Sequence, residues 1–424
     1  MQLVIHRGSH EIGGTCIEIE SQGSRLVLDI GQPLDSPDAE SADMPNVEGL
    51  EKADGSLLGV VLSHPHLDHY GLAFRLPPAT TFLMGEATER ILAAAAVFTL
   101  SGGIFEKVIH LVDRNRIVLG PFRITPFLMD HSAYDSYALL IESDGQSVFY
   151  TGDLRAHGRK ATLFEKLIAH PPEAVNVLLM EGTTISRSGT DSGFPSEADL
   201  EKQLVSIFKN TAGMPLVWCS GQNIDRLVTI YKAAKRSKRQ FIIDMYTAHI
   251  LKATGNSRIP QADWDGIRVF LPEFQKRRIK RLHNFKVSDQ YKSFRIYPEH
   301  LAEVAGRSVM LFRPNMQIDV EEAGCLDGAC LVYSMWDGYL KDEKTKLFLG
   351  WLNERGITMH KCHTSGHAAL RDLQRLRTAF AGAVVCPVHT IDPLAFTRLF
   401  ENVRVLTDGE HFDINAIVKE KKTI

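Results

Sequence analysis

This chain of 424 residues has few cysteines, no long apolar run and little net charge. Its six cysteines, Cys16, Cys219, Cys325, Cys330, Cys362 and Cys386, are scattered, and no Cys-x-x-Cys pair occurs. Several lie in apolar, strand-like runs. Buried reduced thiols in a cytoplasmic protein are therefore the better reading, with a metal or disulfide pair at Cys325 and Cys330 as the weaker one. No apolar stretch approaches the roughly 18 to 20 uncharged residues that span a bilayer, so no membrane partner is expected. The first residues, Met1 to Gly8, lack a basic segment followed by a long apolar one. They read as a strand, not a signal peptide. A net charge of −3 exerts no global pull on nucleic acid, so any basic surface must be local. There is no internal repeat and no low-complexity linker. What remains, 44% apolar and 23% charged residues, is ordinary for a globular protein of two or three domains.

The stretch that stands out is Ser63-His64-Pro65-His66-Leu67-Asp68-His69. It follows the apolar run Leu57 to Leu62, which reads as a buried strand. On extended backbone His64 and His66 share a face. Asp68 and His69 sit where the chain turns into a helix and can aim at a second point nearby. Imidazole nitrogen and carboxylate oxygen suit zinc, or manganese where carboxylates predominate.

The remaining chain alternates strands and helices. The runs Leu3 to Ile5, Thr15 to Ile19 and Arg25 to Gly31 read as a β-meander. Residues 33–56 are acidic and rich in Pro and Ser, and read as a surface loop with a short helix. Thr88 to Leu100 reads as a helix, and strands are expected near 117–128 and 137–142. His131 follows the apolar run Ile124 to Met129, and Asp153 ends the run Ser147 to Thr151 after Gly152. Both are candidate ligands at strand ends. About 235 residues then separate Asp153 from His389, more than a compact hydrolase domain needs. The region near 195–350 has its own α/β alternation and reads as an inserted parallel-sheet cap. The lysine-rich end, Lys419 to Thr423, reads as a frayed tail.

The His-x-His-x-Asp-His motif resembles the signature of metallo-β-lactamase-fold hydrolases. Gly152-Asp153-Leu154-Arg155-Ala156-His157-Gly158-Arg159 resembles the β-CASP nucleases of that superfamily, ribonuclease J among them. Three later stretches resemble their motifs A, B and C in order: Leu178 to Thr184 with Glu181, His363 to His367, and Cys386 to His389. Ser220 to Arg226 and Met245 to Ala248 are similar to cap segments. The resemblance implies an α/β fold, a four-layer αβ/βα sandwich with an inserted α/β cap. The expected divisions are 1–190 for the first part of the hydrolase domain, 191–352 for the cap and 353–424 for the second part.

It further implies two zinc ions, or manganese. His64, His66 and His131 would hold one, Asp68, His69 and His389 the other, and Asp153 would bridge them. Asp68 is also expected to orient the attacking water, His367 to act at the leaving oxygen or scissile phosphate, and Glu181 to orient His367. His363, Ser365, Gly366, Arg155 and Arg226 are expected to contact substrate phosphate, with Arg159 a further candidate. The run Lys276 to Arg281, with Phe274 and Phe285 interleaved, is a candidate patch for neutralising phosphates, or a solvated helix face.

The expected activity is metal-dependent cleavage of single-stranded RNA, endo- or 5′-exonucleolytic, with single-stranded DNA a further substrate. Two other readings stand beside it: an ester or thioester hydrolase of the same superfamily, and a non-catalytic RNA-binding β-CASP subunit. The chain departs from ribonuclease J in two ways. Motif C continues Pro-Val-His-Thr where Gly-Glu would follow the histidine, and little follows it. An oligomer is therefore expected to form, if it does, without a C-terminal assembly domain.

Overall fold

A computed structural model describes residues 1–185 and 193–416; the lysine-rich stretch 419–423 lies outside them. The chain divides into two compact units. The first comprises Met1–Leu92, Gly103–Phe194 and Gly366–Ile424, the second Ala93–Gly102 and Pro195–Ser365.

The first unit carries two sheets. One orders its seven strands His411–Asp413, Gln2–Arg7, Cys16–Ser21, Ser24–Leu28, Leu57–Val61, Phe82–Gly85 and Val108–Leu111. The other orders six: Val384–Val388, Val177–Glu181, Gln146–Tyr150, Ser136–Ser143, Phe122–Met129 and Ile117–Leu119. Alternation explains how they pack. Leu26 and Leu28 point into a core shared with Ile124, Leu139, Ile141, Val148 and Leu179 of the opposite sheet. Val27, Val60 and Leu62 point the other way, onto Tyr70, Leu72 and Leu92. Phe149, Leu178 and Val385 meet Phe164, Leu373 and Phe396 of three helices on the far side of the second sheet. Each sheet is thus apolar on both faces, which forces the order helix, sheet, sheet, helix.

The meander read from the sequence forms at Gln2–Arg7, Cys16–Ser21 and Ser24–Leu28, with antiparallel pairing. The helix expected from Thr88 runs from Glu86 to Ala96. Segment 33–56 contains no helix. Its apolar residues, Ala42, Val47 and Leu50, are instead buried singly against the first sheet.

The second unit is built on seven strands in the order Arg295–Ile296, Ile267–Phe270, Gln240–Asp244, Ser308–Leu311, Pro215–Trp218, Cys330–Tyr333 and Thr358–Lys361. Every pairing is parallel. Leu216, Ile242 and Met310 face one core and Val217, Phe241 and Val309 the opposite side, all buried, as a sheet covered on both faces requires. The units divide at Phe194/Pro195 and Ser365/Gly366, not at 190/191 and 352/353. The later return has a clear cause: Thr358–Lys361 pairs with Cys330–Tyr333 and so extends the second unit's sheet. The chain then re-enters the first unit, where Val384–Val388 pairs in parallel with Val177–Glu181. No helix among the described residues is long and apolar enough to cross a membrane.

Candidate metal centre

Strand ends deliver the site. The strand Leu57–Val61 leads into Ser63 to His66, and a single helical turn, Leu67–Tyr70, follows. His66 caps that turn through its backbone alone, so its ring is not spent on capping. Backbone bonds clamp the turn against the loop after Ser24–Leu28: Ile30 N donates to His69 O at 2.8 Å and Gln32 N to Leu67 O at 2.9 Å. Gly31 is required here, because a β-carbon would lie 1.8 Å from the carbonyl oxygen of Asp68. His131 follows the strand Phe122–Met129. Asp153 follows Gln146–Tyr150 across Gly152, whose φ of 52° turns the chain sharply. His389 follows Val384–Val388 and itself has a φ of 52°. Glu181 ends Val177–Glu181.

These residues converge on one oxygen. Asp153 Oδ2 lies 3.2 Å from His69 Nε2, 3.6 Å from His64 Nε2, and 3.9 Å from the Nε2 atoms of both His131 and His389. Asp68 Oδ2 lies 3.6 Å from His389 Nε2. Two four-residue donor groups share Asp153: His64, His66 and His131 on one side, Asp68, His69 and His389 on the other. A third group joins Asp153 to Glu181 and His367. His367 Nδ1 is 3.4 Å from Glu181 Oε2 and 3.7 Å from Asp153 Oδ2. Glu181 is fixed by the backbone N–H of Thr183, 3.1 Å from Oε2.

The outward nitrogens are fixed as well. His64 Nδ1 donates to Ser63 Oγ at 3.0 Å, His69 Nδ1 to Asp29 Oδ2 at 2.8 Å, and His131 Nδ1 to Gly366 O at 2.6 Å. His389 Nδ1 meets Thr15 Oγ1 at 2.9 Å. The inward atoms His64 Nε2, His69 Nε2, His389 Nε2 and both oxygens of Asp153 are buried and meet no hydrogen-bond partner. Buried polar atoms left this way are costly. A divalent cation on this nitrogen and oxygen set would satisfy them, so the residues fit the metal implied by the motif.

Electrostatics run the same way. Burial holds His64 and His131 well below the usual imidazole range, with neighbouring histidines adding to it. Burial takes His66 down to about 4 against the pull of Asp68 and Asp153, and it also lowers His389. These rings are therefore neutral ligands at neutral pH. Burial opposes charge on Asp68 and Asp153, but His69 and His389 outweigh it and both carboxyls stay low. His69 moves the other way, because Asp153, Asp29 and Asp68 overcome its burial.

Not every expected residue lies here. Arg155 is fully buried; its backbone N–H donates to Asp130 O at 2.7 Å and its guanidinium meets Asp130 Oδ1 at 3.4 Å. Arg226 is fully buried in the second unit, paired with Glu197 at 3.0 Å and bonded to Ser334. Both were expected on substrate phosphate; their charge is taken up inside the protein. His363 and Ser365 belong to the second unit. Burial, with Arg226 adding to it, takes His363 to about 4. Gly366 serves the cluster through its carbonyl on His131.

Sequence reasoning missed Asp29. Fully buried, it accepts from Ser63 N, Ser63 Oγ, His69 Nδ1 and Tyr150 OH, all at 2.7 to 2.8 Å. The signal was present: Asp29 ends an apolar strand run, as Asp153 does.

Residues 36–197 match the β-lactamase superfamily domain. The chain is 26% identical over 237 residues to a ribonuclease J of Helicobacter pylori, covering 52% of this chain and 33% of that protein. A ribonuclease J of Sinorhizobium meliloti is 24% identical over 226 residues, covering 51% and 39%. The chain is ribonuclease J-like, on a metallo-β-lactamase fold. One of Mycobacterium tuberculosis is 24% identical over 237 residues, covering 54% and 41%. The match therefore spans well under half the length of these ribonuclease J relatives. A crystal structure of a protein of unknown function from Enterococcus faecalis V583 superposes with a TM-score of 0.79 at 22% identity, covering 97% of this chain and 99% of that one. That likeness covers residues of both units and is one of fold alone.

Proposed function

We propose that this chain is a metal-dependent phosphodiesterase that cleaves single-stranded RNA. The observation that carries the reading is one carboxylate, Asp153, ringed by six other metal-type ligands and adjoined by the pair His367 and Glu181. On this reading the first unit is the hydrolase domain and the second a β-CASP cap. His64, His66, His131 and Asp153 would hold one zinc ion, and Asp68, His69, His389 and Asp153 a second. Bound there, two such cations supply Lewis-acid charge and a water of lowered pKa.

The chain's own groups do the rest. Asp68 is one-fifth exposed among ligands that are nearly all closed off, so it can accept a hydrogen bond from the attacking water and orient it. The side chain of His367 is 19% exposed, against 1% or less for Asp153, His64, His69 and His131. It is thus placed to meet a substrate and to give a proton to the leaving oxygen. Glu181, buried and fixed by the Thr183 N–H, stands 3.4 Å from His367 Nδ1, near enough to orient the ring on this reading. The six cysteines are buried free thiols, which supports a reducing, cytoplasmic setting.

The test is hydrolysis of 5′-labelled single-stranded RNA by zinc-loaded protein, beside Asp68→Ala and His367→Ala. Internal fragments or released mononucleotides are expected, with losses of about 10²-fold or more in each variant. Efficient turnover of a thioester panel with intact RNA would show a small-molecule hydrolase instead.

A further inference from the structure

In the second unit the helix Glu273–Arg281 and the short helix Phe285–Asp289 follow one another. Between Phe274 and Asp289 the chain carries six cations, Lys276, Arg277, Arg278, Lys280, Arg281 and Lys286, and one acid, Asp289. The structure separates these cations by role. Arg278 donates to the carbonyls of Ala96, Val97 and Thr99. Lys276 and Arg277 share Glu273 at 3.0 and 3.2 Å. Lys280, Arg281 and Lys286 are exposed and have no carboxylate partner among the described residues. Beside them Leu282 and Phe285 stand 47% and 50% exposed.

The backbone beneath is held firmly. Ile279, Val287 and Gln275 are buried, and Gln275 Oε1 accepts from Tyr246 N at 3.1 Å. The helix itself accounts for only part of this charge: Lys280 and Arg281 in the last turn suit its dipole, and Lys286 lies outside it. Lys276 and Arg277 lie in its first half. Lys276 and Lys280, and Arg277 and Arg281, stand at i and i+4, where like charges repel.

We propose that this face binds the phosphate backbone of single-stranded nucleic acid through Lys280, Arg281 and Lys286, giving the second unit a sequence-independent grip on the substrate. The proposal rests on the RNA reading above. On a chain of net charge −3, such a local patch is what phosphate neutralisation requires, and an exposed aromatic beside it can stack on an unpaired base. An anionic membrane fits less well. Ile279 of the helix is buried in the protein and only Leu282 and Phe285 beside it are exposed and apolar, too little for the continuous apolar face that an interfacial helix inserts.

The test is binding of a fluorescein-labelled 20-nucleotide oligouridylate by anisotropy across a potassium chloride series. The full chain is compared with K280Q/R281Q/K286Q and with K232Q/K235Q, which removes two exposed lysines of the helix Ile224–Arg236. The triple variant should weaken binding at low salt and lower the slope of log K against log salt by about 2, at roughly 0.7 per phosphate released. K232Q/K235Q should leave the slope unchanged, and thermal melting should show both variants folded. An unchanged slope in the triple variant, or an equal loss per charge in the control, overturns the proposal. So does loss of binding to phosphatidylglycerol vesicles with the RNA slope intact. If the slope falls as expected while no RNA is cleaved, the patch stands and the hydrolase reading falls.

Discussion

Asp29 tests whether the ligand cluster is held by the groups behind it. Its Oδ2 accepts from Ser63 Oγ, His69 Nδ1 and Tyr150 OH, and its Oδ1 from Ser63 N. In Asp29→Asn the amide oxygen would take the Oδ2 position, because the alternative turns an NH2 group on three donors. The NH2 then faces Ser63 N–H, which loses its acceptor at a cost of about 1–3 kcal/mol. Three charge-assisted bonds become neutral ones of roughly half the strength. The expected destabilisation is about 3–5 kcal/mol, a large share of the roughly 5–15 kcal/mol that holds a typical domain. His69 also loses the anion that fixes its ring, and zinc affinity should fall by about 10- to 100-fold. Tyr150→Phe removes one of the four bonds and should cost about 1 kcal/mol without loss of zinc. Urea unfolding gives the first quantity, and zinc content by mass spectrometry after dialysis against a weak chelator gives the second. Wild-type stability and zinc retention in Asp29→Asn would refute the argument.

Arg226→Ala should destabilise the second unit by about 3–5 kcal/mol, because the buried carboxylate of Glu197 would lose its cationic partner; a raised KM for RNA at unchanged stability would instead restore Arg226 to the substrate. Gly31→Ala puts a methyl group 1.8 Å from Asp68 O, so the turn carrying Asp68 and His69 must move; at least one zinc per chain should be lost, read by metal analysis, with about 1–3 kcal/mol of stability. Burial, helped by Lys252, takes His249 to about 4, below its ordinary 6.5. The unfolded chain therefore binds the proton first, and stability falls as pH drops from about 6.5 to 4, by up to about 1 kcal/mol per pH unit for this residue. Denaturation midpoints across that range should decline less steeply in His249→Gln; parallel curves would remove His249 as a source.

The residues that the structure gathers around Asp153 were legible because each sits at a strand end. His64 to His69 form one motif, while His131, Asp153 and His389 each close an apolar run. Alternation of apolar residues likewise announced the meander, and alternation of strands with helices the parallel sheet of the second unit. Other features left weaker traces. The strand Thr358–Lys361 has an exposed and half-exposed pattern, so no apolar run marked it, and the return to the first unit was placed too early. Segment 33–56 gained its order from separate apolar anchors instead of a helical period.

By itself, then, the sequence determined which imidazoles and carboxylates stand at strand ends, the strand periodicity that carries them and the presence of an α/β unit within the chain, since all three are written in local spacing. Only the tertiary structure decided that Asp153 Oδ2 is the shared centre, that Asp29 stands behind His69 and Ser63, and that Arg155 and Arg226 are internal. A charge takes its role from the partner it meets. Arg226 meets Glu197, 29 positions away, and His69 meets Asp29, 40 positions away, and only folding brings each pair together.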